Sequence, residues 1–575
     1  MKSKLALCAA AALLLMGART PPKPIYDLVI RNGMIYDGTG GAPFKGDVAI
    51  KDDRIAYVAA HAEGTGVREI DAHGQAVAPG FINMLSWANE SLIADGRGLS
   101  DLKQGITLEV MGEGNSLGPL NADMKAYGLR RQADIKYPID WTTLDEGLRS
   151  LEKRGISMNV ASFVGAETVR VNVLGADDVD PTPAQLERMR KLVHDAMLDG
   201  ALGVGSSIIY APGSYAKSQE LATLAQEAGR CGGIYISHMR SEGDRLVEAV
   251  DELIWISLAS GAPAEIYHLK ASGKENWGKL DTAIAHIEAA RAKGQRITAD
   301  MYAYPAGSTG LDAAMPTWVQ AGGVEEWIKR LKDPAIRAKV LAEMRLDHPA
   351  FENLEHQAGG EGTLLVGFKN PALKPLTGKT LAEVAKMRGT SVEDTAIDLV
   401  IEDGSRVQVV YFLMSEQNVA RETAIPWVSF GSDAAAMSPQ GVFLLSSTHP
   451  RAYGNVARVL GKYVREEKTL TLSEAVRRLS GQPAHNLGLH NRGLIKPTYF
   501  ADLVVFDPAT VADHATFEKP QQFATGVSDV VVNGKLALLD GEPTAERPGR
   551  VVRGRGWSGW PLGAGCQPSA KDWSW

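Results

Sequence analysis

The spacing of hydrophobic and polar positions changes along the chain and divides it into two β-rich ends and a mixed middle. Between 26 and 77, short apolar runs such as 27–30 and 47–50 are separated by turn residues, which is typical of β-hairpins. The same pattern returns at 501–508 and 528–535. We therefore expect one small β-sandwich domain formed from both chain ends.

The middle of the chain alternates apolar runs with amphipathic stretches, as expected for a parallel sheet whose strands are connected by helices. Eight runs predict an α/β fold of the (β/α)8 barrel type. A ninth run at 407–413 and a helix-rich stretch at 324–345 lie between the last two, and they predict an insertion near 310–425. The eight runs are 77–85, 106–112, 158–164, 202–207, 234–237, 264–267, 297–301 and 427–432.

The first residues have the layout of a secretory signal peptide. Lys2 and Lys4 precede an apolar run at 5–16, and the small residues Gly17 and Ala18 follow it. The run is too short to span a bilayer, so we expect export to the periplasm or beyond and no stable membrane insertion, with an uncleaved anchor as the alternative. The predicted segments are a signal peptide at 1–20, sandwich parts at 21–76 and 491–552, a barrel at 77–490 and a tail at 553–575.

Composition narrows the class of partner. The 575 residues are 45% hydrophobic and 22% charged, which allows a large buried core. A net charge of −7 gives no broad basic field, so we expect a small-molecule substrate and no nucleic acid. Cys231 and Cys566 are far apart in sequence and Cys8 lies in the leader, so no disulfide framework is implied. The oligomeric state is left open.

Polar residues at the ends of apolar runs indicate where chemistry can occur, because the carboxyl ends of barrel strands share one opening. Of the twelve histidines, His238 and His268 directly follow the fifth and sixth runs, and Asp433 follows the eighth. One such histidine is more often structural, but two on neighbouring strands with an aspartate favour a metal site. Imidazole suits a borderline ion such as Zn²⁺, and a nearby carboxylate can transfer a proton.

Several motifs resemble the D-aminoacylase branch of the amidohydrolase superfamily, the N-acyl-D-amino-acid deacylases. Their order and spacing match from about 26 to 551. The resemblance implies hydrolysis of an N-acyl amino acid or peptide-like substrate, and the D configuration is implied by the resemblance alone. The motifs are VAPGFI at 77–82, SHMRSEG at 237–243, YHLKASG at 267–273, GSD at 431–433 and the segments 203–213 and 300–309.

The resemblance also implies residue roles. His238 and His268 correspond to metal ligands, and Asp433 corresponds to the acid/base. The family's binders of the substrate carboxylate correspond to Lys270, Tyr302 and Ser308. We hypothesise one Zn²⁺ per chain that activates water, while Asp433 accepts the water proton and returns it to the leaving nitrogen.

This sequence departs from the family at three places. The His-x-His pair that normally ends the first strand is replaced by Leu85, Ser86 and Trp87, and none of these replaces an imidazole ligand. Ala166 stands where relatives commonly have a histidine. An ungapped match puts Gly114 at the place of a cysteine ligand.

Glu113 is the predicted third metal ligand. It precedes Gly114, carboxylate oxygen is an acceptable zinc ligand, and Gly112 and Gly114 allow the small backbone shift that is needed. The rival ligand Glu109 would lie deeper in the barrel, and Glu113 could instead be a surface loop residue.

Other candidates have smaller predicted roles. Trp87 is expected to form an apolar wall of the substrate pocket, and Asp300 to orient a ligand histidine. His449 precedes a proline in a loop, where histidines are more often structural. The remaining candidates considered fall outside the barrel mouth: His61, His73, His485, His490 and His514.

Two other functions compete with the deacylase prediction. The first is another amide hydrolase on the same scaffold, such as a dipeptidase or a cyclic amide hydrolase. The second is a non-catalytic binding protein with a degraded site, which the missing His-x-His pair favours. Against the second, the remaining candidates form a complete set for one metal.

Overall fold

In the computed structural model, the described residues are 24–560 together with Cys566. The predicted signal peptide at 1–20 therefore lies outside the described residues, as does most of the chain after 560. None of the helices within the described part of the chain is long and apolar enough to cross a membrane.

The first described segment forms five strands around the long strand β1. β1 pairs antiparallel with β2 and parallel with both β4 and β5. Residues Leu28 and Ile30 of β1 are buried against the apolar face of this sheet. The strands are β1 (Ile25–Ile35), β2 (Phe44–Lys51), β3 (Arg54–Ala59), β4 (Thr65–Asp71) and β5 (Ala76–Pro79).

The next eight strands form seven of the eight strand positions of a parallel barrel. Each strand position of the barrel is called a stave below. Two of the short strands, β8 and β9, are halves of one stave interrupted at Phe163. Every neighbouring pair of staves that is joined by a ladder is parallel, as expected when helices connect the strands. The strands are β6 (Phe81–Asn83), β7 (Ile106–Met111), β8 (Asn159–Ser162), β9 (Val164–Gly165), β10 (Gly203–Ser207), β11 (Ile234–His238), β12 (Ala264–Ile266) and β13 (Ile297–Met301).

An insertion separates the seventh stave from the eighth. It contains a three-stranded antiparallel sheet of β14 (Gly307–Gly310), β15 (Thr363–Gly367) and β16 (Gln408–Tyr411). The ninth apolar run thus belongs to the insertion, as its position in the sequence predicted.

The eighth stave, β17 (Val428–Phe430), pairs parallel with β13. It also meets the first stave, because Met84 N donates to Phe430 O at 3.3 Å and Ser86 forms a parallel bridge with Ala434. The predicted (β/α)8 barrel is confirmed.

Helices cover the outside of the barrel and of the insertion. Their starts follow local capping chemistry: Thr182, for example, accepts from Gln185 N, and Pro183 occupies the first helical position. The helices of the first seven barrel units are α1 (Ala88–Ala94), α2 (Leu99–Leu102), α3 (Ala122–Arg131), α4 (Leu144–Arg154), α5 (Ala166–Leu174), α6 (Pro183–Leu198), α7 (Ser218–Arg230), α8 (Leu246–Ser260) and α9 (Leu280–Ala292). The others are α10 (Val324–Leu331), α11 (Pro334–Met344), α12 (Leu354–Ala358), α13 (Leu381–Arg388), α14 (Val392–Asp403), α15 (Glu416–Thr423), α16 (Arg451–Arg458), α17 (Leu472–Val476) and α18 (Gln482–Asn486).

The last strands return to the sheet that began the described chain. They are β18 (Leu503–Phe506), β19 (Val527–Val532), β20 (Lys535–Leu539) and β21 (Glu542–Pro543). Because β18 pairs antiparallel with β5, strands from both chain ends form one nine-stranded sheet. The β domain expected from the two β-rich flanks is thus continuous across the chain ends.

The segment after this sheet packs against the amino-terminal side of the barrel strands. Val552 N donates to Val160 O at 2.8 Å, and Gly554 N donates to Gly200 O at 2.9 Å. Cys566 is disulfide-bonded to Cys231, which precedes β11. The expectation that the two cysteines imply no disulfide was therefore wrong, because 335 residues of sequence separation carry no information about their distance in the fold.

Candidate metal centre

Three predicted ligands converge at the mouth of the barrel. Glu113 follows β7, His238 ends β11 and His268 follows β12. Glu113 Oε1 lies 2.9 Å from His238 Nδ1 and 3.3 Å from His268 Nε2. One ligand atom from each residue lies within 4.8 Å of the other two, and all three side chains are buried.

The backbone around Glu113 explains how the carboxylate reaches the two imidazoles. Gly112 and Gly114 have φ values of +106° and +67°, which side chains with a Cβ atom rarely adopt. A Cβ at Gly112 would lie 2.4 Å from Phe163 O. The turn therefore requires glycine on both sides of Glu113, as the flanking residues suggested.

The rival ligand Glu109 lies elsewhere. It is fully buried within β7, and its Oε2 accepts from Asn83 Nδ2 at 2.9 Å. Burial raises the pKa of Glu109 to about 7, so this carboxyl is poorly suited to attract a cation at neutral pH. It does not belong to the group of ligand atoms formed by Glu113, His238 and His268.

The spacing of the three atoms fits a small divalent cation. Ligands at about 2.0–2.1 Å from a tetrahedral zinc lie about 3.4 Å from one another. The His268 to Glu113 separation of 3.3 Å is close to this value, and the 2.9 Å between His238 and Glu113 would have to widen by about 0.5 Å. Two imidazoles and one carboxylate are a donor set that zinc accepts in catalytic sites, with a fourth position left for water or substrate.

Glu242 orients the histidines from behind, a role that the sequence analysis missed. Glu242 Oε1 lies 3.0 Å from His268 Nδ1, and Lys270 Nζ donates to the same oxygen at 2.5 Å. Glu242 Oε2 lies 3.7 Å from His238 Nε2. A carboxylate on the far nitrogen of a ligand histidine fixes the ring and increases its basicity. The available signal was its position four residues after His238 within a resemblance motif.

The charges of this cluster are balanced. Burial raises the pKa of Glu242, but Lys270, His238 and His268 outweigh it and hold the pKa below its usual value. Burial also raises the pKa of Glu113, but hydrogen bonds with His238 and His268 hold it low. Burial and Lys270 lower the pKa of His268, whereas Glu242 and Glu113 raise it to about 10. Both carboxylates are therefore ionised at neutral pH.

Asp433 lies across the mouth from the histidines. Its φ of +49° is in the left-handed region, which costs a non-glycine residue free energy and is common at functional sites. Asp433 N donates to Leu85 O at 2.9 Å, and Asp433 Oδ2 pairs with Arg451 Nη2 at 2.8 Å. Burial raises the pKa of Asp433, although the charge of Arg451 opposes the rise.

Trp87 connects Glu113 with Asp433. Its indole Nε1 donates to Glu113 Oε2 at 3.0 Å and to Asp433 Oδ1 at 3.1 Å. The residue is 39% exposed and lines the cavity, and its role as an apolar wall stays a prediction. The hydrogen bonds to the two carboxylates were not foreseen.

A cavity of about 360 Å³ opens at this end of the barrel. Glu113, His238 and Asp433 line it from the barrel, and Ser308 and Arg406 line it from the insertion. The insertion therefore provides one wall of the site.

The predicted carboxylate binders are placed differently from one another. Ser308 lines the cavity, and its Oγ donates to Val409 O at 2.9 Å. Lys270 lies behind His268, and its Nζ is 2.7 Å from His268 Nδ1. The Tyr302 ring lies between two cations, 5.5 Å from Lys270 Nζ and 4.4 Å from the guanidinium of Arg451. The binding role of these three residues stays a prediction.

Two other candidates have clear partners. Asp300 Oδ1 accepts from the backbone N of His268 at 2.9 Å, so it orients this residue through the main chain, and no contact with the ring is seen. His449 Nε2 donates to Ala306 O at 2.9 Å, and its Nδ1 accepts from Arg451 N at 3.0 Å. Both His449 nitrogens bind backbone groups, which supports the structural role expected for it.

Two charged residues of the cavity were missed by the sequence analysis. Arg451 is buried, and its Nε and Nη1 have no hydrogen-bond partner within the described part of the chain. Glu167 Oε1 accepts from Ser207 N at 2.7 Å, whereas its Oε2 has no partner among the described residues. Burial raises the pKa of Glu167 to about 7. Arg451 follows His449 in the sequence, but no local pattern indicated that it turns into the site.

Comparisons with known proteins agree with this geometry. Residues 68–537 match the amidohydrolase family. An N-acyl-D-aspartate deacylase of Alcaligenes xylosoxydans xylosoxydans is 32% identical, over 92% of this chain and 95% of the relative. A D-aminoacylase studied for its binuclear metal centre, with one-metal activation and second-metal attenuation, has a TM-score of 0.75 at 30% identity, over 92% of this chain and 100% of that chain. An N-acyl-D-glutamate deacylase from Bordetella bronchiseptica, in complex with zinc and a phosphonate inhibitor, has a TM-score of 0.75 at 29% identity with the same coverage.

The role of Glu242 can be tested by metal affinity. We expect Glu242→Gln to weaken zinc binding about 10- to 100-fold, because the ring of His268 loses the carboxylate on its far nitrogen. Competition with a chromophoric chelator measures this affinity. Glu352→Gln is the matched control, since Glu352 is a largely buried carboxyl that binds Ser241 and Gln357 and no metal ligand. Equal affinities of the two variants would contradict the assignment.

Proposed function

The chain belongs to the amidohydrolase family, and on that premise we propose that it hydrolyses the amide bond of N-acyl-D-amino acids to a carboxylate and a free D-amino acid. The observation that carries the proposal is that one cavity is lined by Glu113, His238, Asp433 and Arg451, and that His268 completes the cluster of metal-ligand candidates beside it. The activities of the compared relatives supply the class of substrate and its D configuration.

The chemistry divides between a cation and the protein. Glu113, His238 and His268 would hold a divalent cation, which when bound would activate water and polarise the amide carbonyl. Asp433 accepts the proton of the attacking water and returns it to the leaving nitrogen, so that the amine departs as a neutral group. The raised pKa of Asp433 suits this double role, because an acid/base must be able to hold the proton between the two steps.

Arg451 is proposed to bind the carboxylate of the substrate. Two of its guanidinium nitrogens are buried without a hydrogen-bond partner among the described residues, a condition that is costly unless a ligand satisfies it. A guanidinium and a carboxylate match in geometry and form paired hydrogen bonds. Ser308 lines the same cavity, and its hydroxyl would have to turn from Val409 O to donate to the substrate.

We propose that the cation is zinc and that one ion binds per chain. The support is the set of three converging ligand atoms, together with the replacement of the family's His-x-His pair by Leu85, Ser86 and Trp87. The similar D-aminoacylase with one-metal activation is compatible with a single active ion.

Export is proposed from the leader-like segment at 1–20. The disulfide between Cys231 and Cys566 supports it, because such bonds persist in oxidising compartments and are rare in the cytosol.

The proposed reaction is tested with a panel of N-acetyl-D- and N-acetyl-L-amino acids in the presence of zinc. We expect the D compounds to be hydrolysed and the L compounds to remain intact, as measured by release of free amine. Asp433→Asn should reduce kcat about 10²- to 10⁴-fold, because the amide cannot transfer the proton. Hydrolysis of dipeptides or cyclic amides without any hydrolysis of N-acyl amino acids would contradict the proposal.

The proposed binding of the substrate carboxylate by Arg451 is tested by comparing two substitutions. Arg451→Lys keeps the charge but loses the paired geometry, and we expect kcat/KM for N-acyl-D-amino acids to fall about 10- to 100-fold through KM. The matching neutral amides should be hydrolysed at the wild-type rate. Lys270→Met tests whether Lys270 binds the substrate carboxylate instead. If Lys270→Met lowered kcat/KM only for substrates with a carboxylate and Arg451→Lys did not, the binding role would belong to Lys270.

Export is tested by expressing the full chain and determining the mass of the protein in each cell fraction. We expect a periplasmic or secreted form whose amino terminus lies near residue 20 and whose Cys231 resists alkylation until a reductant is added. A cytosolic form that retains residue 1 would contradict this proposal.

A further inference from the structure

Trp87 holds a position that the chemistry described so far does not explain. Its indole N–H is shared between Glu113 Oε2 and Asp433 Oδ1, so one neutral donor satisfies an oxygen of each of two carboxylates. The other oxygens of these carboxylates face nitrogen atoms: Glu113 Oε1 faces His238 and His268, and Asp433 Oδ2 faces Arg451.

We infer that Trp87 is a positioning residue for the proposed reaction: its indole N–H aligns Asp433 with the ligand Glu113 and occupies the place where a second cation would bind between the two carboxylates. The inference rests on the proposed function and deepens it, because it identifies Trp87 as the side chain that limits the site to one ion.

Backbone hydrogen bonds place Trp87 and Asp433 beside each other. Trp87 N donates to Ala434 O at 2.9 Å, and Asp433 N donates to Leu85 O at 2.9 Å. The donor and its acceptor are therefore joined by hydrogen bonds on both sides where the first stave meets the eighth.

The electrostatic need for the indole is clear. Two carboxylates that approach the same point repel each other unless a donor or a cation lies between them. A cation placed there would need additional ligands, and the nearby side chains of Leu85 and Ser86 are buried and provide no imidazole. A neutral N–H satisfies both oxygens without adding a charge that would compete for the proton on Asp433.

The test uses three substitutions of Trp87 in the full-length protein, loaded with cobalt. Trp87→Phe keeps an aromatic ring without the N–H, Trp87→Gln keeps an N–H donor without the ring, and Trp87→His introduces a metal ligand. Trp255→Phe is the matched control, because Trp255 is an exposed tryptophan on α8.

We expect kcat of Trp87→Phe to fall about 10- to 100-fold, as for a lost hydrogen bond to a charged group, with KM near its wild-type value. Trp87→Gln should retain more activity than Trp87→Phe. Trp255→Phe should match the wild type. If packing of the ring were what matters, Trp87→Phe would be the more active of the two Trp87 variants, and the inference would be overturned.

Cobalt content and the cobalt absorption spectrum give a readout that is independent of turnover. We expect one ion per chain in the wild type and in Trp87→Phe, and a second ion with a new absorption band in Trp87→His, since imidazole is a ligand for such ions. Two ions in the wild type, or loss of the only ion from Trp87→Phe, would overturn the inference.

The two proposals can fail separately. A protein that binds one cobalt ion in the pattern expected for the Trp87 variants but hydrolyses no N-acyl amino acid would contradict the proposed function alone. Hydrolysis with equal kcat in Trp87→Phe and Trp255→Phe would contradict the positioning role alone.

Discussion

The closure of the barrel between its first and eighth staves is the constraint on which the site depends. Met84 N bonds to Phe430 O, Asp433 N to Leu85 O and Trp87 N to Ala434 O, so residues from both ends of the barrel sequence are held at one edge. A closed parallel barrel brings the carboxyl ends of all its strands to a common opening. Glu113, His238 and His268 meet there because they end or follow three of the other strands.

The charged side chains at the opening form a stable cluster only because opposite charges alternate across it. Two ionised carboxylates, Glu113 and Glu242, flank the two imidazoles, and Lys270 and Arg451 lie at the outer sides of the cluster. Removal of any one buried member would leave a partner unpaired in a region of low dielectric constant. The same alternation prepares a place for a cation and keeps a third carboxylate, Asp433, near it.

The two ends of the barrel have separate tasks. At the amino-terminal side, the segment that contains Val552 and Gly554 is hydrogen-bonded to the barrel. Cys566 is joined to the barrel there by its disulfide with Cys231. The carboxyl-terminal side carries the cavity and the insertion that forms one of its walls. Stabilising contacts are thus kept away from the residues that must adapt to a substrate.

The sequence alone determined the eight staves, the β domain shared between the chain ends, and His238, His268 and Asp433 as residues of the barrel mouth, because strand periodicity and position at a strand end are local properties. The resemblance also indicated Glu113, which precedes the place of the family's cysteine ligand, and its two glycine neighbours made the required backbone shift plausible. Only the tertiary structure brought Glu113 rather than Glu109 to the histidines, placed Glu242 and Arg451 beside the site, turned the Trp87 N–H toward two carboxylates and joined Cys231 to Cys566. Such contacts connect residues far apart in the chain, 125 positions between Glu113 and His238, and local patterns carry no information about distances of that kind.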